Sequence, residues 1–170
     1  SALVWPAFIT LNGDNIEIDS IRMLGIKRLG VHMKGANARF TNSEVDGNLP
    51  PLGMPTMSPS LTFHVGVMYD NEVGASGGCL VQGNLFRRCN SGFNPANYSA
   101  GDLEAKNVRS IGNRYEECVD HGIYSNYAKD FVSDGDAFWR CRLGVVMTGP
   151  RNTVTNFTVD TDCANLGAAN

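Results

Sequence analysis

The side chains of this chain that could do chemistry are a few carboxylates, histidines and arginines set far apart: His64, Asp70, Glu72, Asp120 and Arg142. Two reactions suit such a set. Hydrolysis of a glycosidic bond takes two carboxyl groups, about 5–5.5 Å apart for retention or about 6.5–9.5 Å for inversion. β-Elimination takes a base near an Arg or Lys, often with Ca²⁺ supplying further positive charge. Asp120, Asp70, Glu72 and His64 are the candidate catalytic residues. Tyr124, Trp139, Asn126 and Arg142 are the candidate substrate contacts, because aromatic faces suit the C–H faces of sugar rings. The five cysteines include no C-x-x-C pair, which argues against zinc, and no metal site is expected. No cofactor is called for, apart from Ca²⁺ if the chemistry is elimination.

The elements that must hold these residues are set by a repeat. Gly83-Asn84-Leu85-Phe86-Arg87-Arg88-Cys89, Gly112-Asn113-Arg114-Tyr115-Glu116-Glu117-Cys118 and Gly135-Asp136-Ala137-Phe138-Trp139-Arg140-Cys141 are one phrase written three times. A second phrase follows each Cys: Gly92-Phe93, Gly122-Ile123 and Gly144-Val145. Gly30-Val31 and Gly66-Val67 are earlier copies of it. Repeats at this spacing point to stacked units that share a core. No sustained i, i+3, i+4 apolar pattern supports helices. Short alternating runs such as Phe8–Leu11 and Ile16–Ile18, separated by Gly-Asp-Asn, read as strands and turns. An Asn aligned coil after coil (Asn84, Asn113, then Asp136) suits a side-chain ladder at a turn. The recurring Cys predicts buried free thiols stacked rung on rung.

The expectation is therefore an all-β fold: a right-handed parallel β-helix of about six coils, with residues 1–170 as one domain or fragment. A seven-stranded sandwich is the runner-up. Two Pro-rich or irregular excursions, 46–63 and 95–106, interrupt the coils, and 164–170 reads as a frayed tail. The 170 residues are 42% hydrophobic and 18% charged, with a net charge of −3 and no basic run, so nucleic acid is not an expected partner. No apolar run reaches membrane-spanning length. Ser1 in place of Met suggests a fragment or processed product.

The coil pattern, Gly122-Ile123-Tyr124-Ser125, Gly144-Val145-Val146-Met147 and Thr153-Val154-Thr155-Asn156 resemble the pectin-lyase-like β-helix superfamily. The long excursions and terse coils are most similar to bacteriophage tailspikes and capsule depolymerases. That resemblance, from about Phe8 to Cys163, implies a bacterial surface polysaccharide as partner and a homotrimer on a virion tail or outside the cell. It implies a polysaccharide-cleaving enzyme, a glycoside hydrolase or polysaccharide lyase. A non-catalytic tail-fibre shaft or adhesin, and a cellular pectate-lyase-like lyase or epimerase, remain the alternatives.

With each second-phrase Gly as zero, residues fall into columns. Arg28, His64, Asn90, Asp120 and Arg142 share the outward column at minus two. His32, Met68, Asn94, Tyr124 and Val146 share plus two, and Lys34, Asp70 and Asn126 share plus four. Leu29, Val65, Ser91, His121 and Leu143 are expected inside, as are Val31, Val67, Phe93, Ile123 and Val145. Asp70 and Asp120 then stand about 20 Å apart along the strands and cannot form one catalytic pair. Asp120 would need a loop carboxylate such as Asp102 or Glu104, and Asp70 would work with Glu72. Simpler readings compete. Asp120 beside Arg142 reads as a surface ion pair, Glu117 between Arg88 and Arg140 as a charge ladder, and His121 as a hydrogen-bonded core histidine.

Overall fold

The computed structural model describes residues 7–49, 64–70, 78–95, 105–125 and 128–160. The chain passes through three parallel sheets in turn, six times over. Sheet A holds β1 (Ala7–Asn12), β4 (Leu29–Lys34), β7 (Val65–Asp70), β10 (Ser91–Pro95), β13 (His121–Ser125) and β16 (Leu143–Met147). Sheet B holds β2 (Glu17–Asp19), β5 (Ala38–Thr41), β8 (Cys79–Gln82), β11 (Val108–Ile111), β14 (Val132–Asp134) and β17 (Thr153–Thr155). Sheet C holds β3 (Arg22–Leu24), β6 (Glu44–Asp46), β9 (Leu85–Arg87), β12 (Arg114–Glu116), β15 (Ala137–Trp139) and β18 (Thr158–Val159). Each coil gives one strand to each sheet. This is a parallel β-helix of six coils.

Only the flanks of the two excursions are described. Asp46 closes β6, Pro95 closes β10, Ala105 is buried and Lys106 bridges to Lys129. Residues 50–63, 96–104 and 161–170 lie outside the described residues, and Cys163 with them.

The first phrase is explained position by position. Gly112 turns the chain between sheets B and C at φ 59°, in the left-handed region that side chains disfavour. The next residue points inward and forms a ladder. Asn113 Oδ1 accepts from the backbone N–H of Asn84 at 3.0 Å, and Asp136 Oδ1 accepts from that of Asn113 at 2.8 Å. Asn84 Oδ1 accepts in turn from Ser43 at 2.9 Å. The ladder so satisfies turn amides that have no water to bond.

The aromatics of the phrase stack down the core. Ring centroids lie 6.2 Å apart for Phe40–Phe86, 5.2 Å for Phe86–Tyr115 and 5.1 Å for Tyr115–Phe138. Past them, Arg88, Glu117 and Arg140 each turn the corner with φ near 50°. Cys89, Cys118 and Cys141 then sit fully buried as free thiols, one per coil, and Cys79 is a fourth. Burial pushes the Cys89 thiol up to about 12, whereas the hydrogen bond with Cys118 lowers the pKa of the Cys141 thiol.

One column departs from the expected pattern. Leu29, Val65, Ser91, His121 and Leu143 face outward, not into the core. The reason lies in the glycine that follows each of them. A Cβ on Gly66, Gly92 or Gly122 would stand 2.8, 2.6 or 2.6 Å from the ring of Phe86, Tyr115 or Phe138. These glycines therefore face inward, against the aromatic stack, and only Gly leaves room for it. Val67, Phe93 and Ile123 follow at once and are also in the core. Two successive inward positions break the two-residue alternation of a strand. The residue before the glycine is turned to the outer face, where Leu29, Val65, Met68 and Ala7 make a cluster of their own.

Candidate functional site

The corrected column changes what sheet A presents. Toward the first coils its outer face is apolar, with Leu29, Val65 and Met68. Over β10 and β13 it turns polar before returning to Leu143 and Val146 on β16, and there Ser91, Asp120, His121, Tyr124 and Arg142 come together. The Asp120 carboxylate lies 3.3 Å from His121 Nδ1 through one oxygen and 3.4 Å from Arg142 Nη1 through the other. Ser91 Oγ is 3.5 Å from the same His121 nitrogen. The Tyr124 ring lies 4.7 Å from the His121 ring, centroid to centroid. These contacts follow from register: Ser91, His121 and Leu143 are strand partners, and Tyr124 stands three residues along from His121 on the same outer face.

The electrostatics favour a neutral imidazole. Burial lowers the His121 pKa first, Asp120 opposes that, and the Arg142 cation lowers it further. With Asp120 facing Nδ1, the favoured tautomer keeps its proton there and leaves the Nε2 lone pair for another group. No described residue bonds Nε2. A neutral imidazole oriented by a carboxylate can take a proton, and the adjacent guanidinium can hold an anion.

Other candidates are placed differently. His64 shares the Asp120 column but lies two strands away, with Asn90 between them. It is half-buried; burial lowers its pKa, a hydrogen bond to the Lys27 carbonyl opposes this, and its Nδ1 is buried without a partner. Asp70 closes β7 opposite Lys34. Trp139 lies on sheet C, in register with Glu116 and with the Arg140 guanidinium 5.4 Å from its ring centre. It belongs to a different outer face from Asp120 and Tyr124. Glu72 and Asn126 fall outside the described residues, as do Asp102, Glu104 and Tyr127.

Two residues of the cluster, Ser91 and His121, are absent from the sequence-based candidates. Their signal was present: both are polar in a column otherwise filled by Leu29, Val65 and Leu143. Of the expected charge ladder, Arg140 lies 3.2 Å from Glu117 at the corner after sheet C, whereas Arg88 pairs with Asp46. Below it Asp46, which is nearly inaccessible, pairs with both Arg87 and Arg88. Among the described residues no three His, Cys, Asp or Glu side chains converge as a metal site, and no helix is long and apolar enough to cross a membrane. No family model matches the chain, and no curated protein is similar to it in sequence.

Proposed function

We propose that this β-helix is the glycan-processing part of a depolymerase of the bacteriophage tailspike kind, acting on a bacterial surface polysaccharide and working outside the cell as a homotrimer. The observation that carries the reading is the Asp120–His121–Arg142 cluster on an extended outer face, beside the Tyr124 ring. A polymer laid across the coils would meet these groups. Their chemistry favours β-elimination of a uronic acid unit. Arg142 holds the uronate carboxylate. His121 Nε2 removes the proton next to that carboxylate, and those electrons form the new C=C bond. The C–O bond to the neighbouring sugar breaks, and its oxygen takes a proton from the Tyr124 hydroxyl or from water.

The test is incubation with a panel of capsule and O-antigen polysaccharides, reading both reducing ends and the ultraviolet absorbance of an unsaturated uronate. Absorbance that disappears in His121→Ala and Asp120→Asn supports the proposal. Reducing ends without absorbance would assign hydrolysis and require a second carboxylate. The Asp120–Arg142 ion pair favours a second reading, in which the cluster only staples adjacent coils of a non-catalytic shaft or adhesin. Cleavage of no polymer, with side-by-side trimers in solution, supports that reading instead.

A further inference from the structure

The candidate site puts its base and its acid on the same side of whatever it binds. His121 and Tyr124 belong to one strand, β13. Strict alternation sends residues three apart to opposite faces of a sheet. Here Gly122 and Ile123 both turn inward, so His121 and Tyr124 both turn outward. Their rings lie 4.7 Å apart, centroid to centroid, and are tilted by 34°. The double inward step that keeps His121 out of the core is therefore also what sets it beside a phenol. Arg142 joins them through Asp120, which contacts both it and His121.

β-Elimination from a 1,4-linked uronate removes H5 and O4, which sit on adjacent ring carbons. In uronates of the gluco and manno configurations these two leave from the same side of the ring. In the galacto, gulo and ido configurations they leave from opposite sides. An opposite-side departure needs base and acid with the sugar ring between them. A same-side departure needs them side by side, and His121 and Tyr124 stand side by side. Their strand partners on the next coil, Leu143 and Val146, add an apolar floor on which a neighbouring pyranose can bury a C–H face.

Resting on the lyase reading above, we propose that this site performs syn elimination and takes polymers whose uronate is gluco- or manno-configured. His121 Nε2 takes H5, and the C–H electron pair becomes the C4=C5 bond. Arg142 pairs with the carboxylate, onto which negative charge spreads as H5 leaves. The C4–O4 bond breaks with its electron pair going to O4, and O4 takes the Tyr124 hydroxyl proton. The proton on the imidazolium then passes to the Tyr124 oxygen, which returns both side chains to their starting states.

Four 1,4-linked homopolymers test the assignment. Polyglucuronate and polymannuronate carry H5 and O4 cis; polyguluronate and polygalacturonate carry them trans. The capsule polysaccharides of the panel above join them, each sorted by the configuration of the uronate it loses. Ultraviolet absorbance reports elimination, and circular dichroism checks that each variant is folded. Wild type is expected to release absorbing ends from cis uronates only. Tyr124→Phe is expected to lower kcat on a cleaved cis polymer by about 10²-fold or more with KM little changed, because the ring stays and only the proton is lost. Absorbance from a trans uronate overturns the syn assignment and leaves the lyase reading standing. A Tyr124→Phe variant that keeps the wild-type kcat does the same, since the acid is then another group. Absorbance from no polymer at all overturns both.

Discussion

The inner face of sheet C and the outer face of sheet A run the same length of chain and obey opposite rules. Inside, one column reads Phe86, Tyr115, Phe138, with ring centroids 5.2 and 5.1 Å apart. Outside, one column reads Leu29, Val65, Ser91, His121, Leu143, changing chemical type midway. A column that repeats itself is there because each rung must pack on a like rung. A column that changes type is under no such demand from stacking, and the polar cluster sits where the change occurs.

The comparison can be broken by substituting on either side of it. The largest effect is expected inside. Tyr115→Ala should cost about 3–5 kcal/mol of stability by chemical denaturation, because it leaves a gap between two rings and removes one of the partners of Ser110 Oγ, at 3.0 Å. A smaller loss would mean that the stack is not continuous. Outside, His121→Ala should change stability by less than about 1 kcal/mol while lowering any cleavage rate by about 10²-fold or more. If stability falls as it does for Tyr115→Ala, the cluster is architecture. The wild-type rate should rise with pH along an acid limb lying below the ordinary histidine value of 6.5, since burial and Arg142 hold His121 neutral.

Asp136 sharpens the comparison at the ladder. Burial raises its pKa from the ordinary 3.8, outweighing the hydrogen bonds from Ser133, Ser110 and Asn113 that lower it. A carboxyl held more protonated in the fold than in the unfolded chain favours folding at low pH. That contribution fades as pH rises through the folded-state value. Asp136→Asn should therefore flatten the pH dependence of stability on the acid side of neutrality, seen as melting temperatures compared across pH. A variant whose profile parallels the wild type would show that Asp136 is not the group responsible. The smallest effect is expected at Glu117→Gln, which loosens a pair with the partly exposed Arg140. Its cost should stay under about 1 kcal/mol and shrink with salt.

Much of the architecture could be read from the chain because stacking forces like residues into register. The Gly-Asn-x-aromatic-x-x-Cys phrase announces corner, ladder, ring stack and thiol in one line, and each was found in its place. The facing of His121 could not be read this way. A strict inside–outside alternation puts it in the core, and only the glycine after it, backed against the Phe138 ring of the same coil, reverses that. The reversal depends on a ring supplied by another sheet, which no local pattern records. Trp139 illustrates the same limit. Its outward position could be read, but the sheet it decorates depends on how the corners turn.

The four buried thiols are also a natural clock. Cys79, Cys89, Cys118 and Cys141 are inaccessible, and they sit on three successive coils. A thiol reagent can reach each of them only while its own rung is open. The order in which the native protein takes up label would therefore rank the coils by how often they breathe, with no residue added or removed to make the measurement.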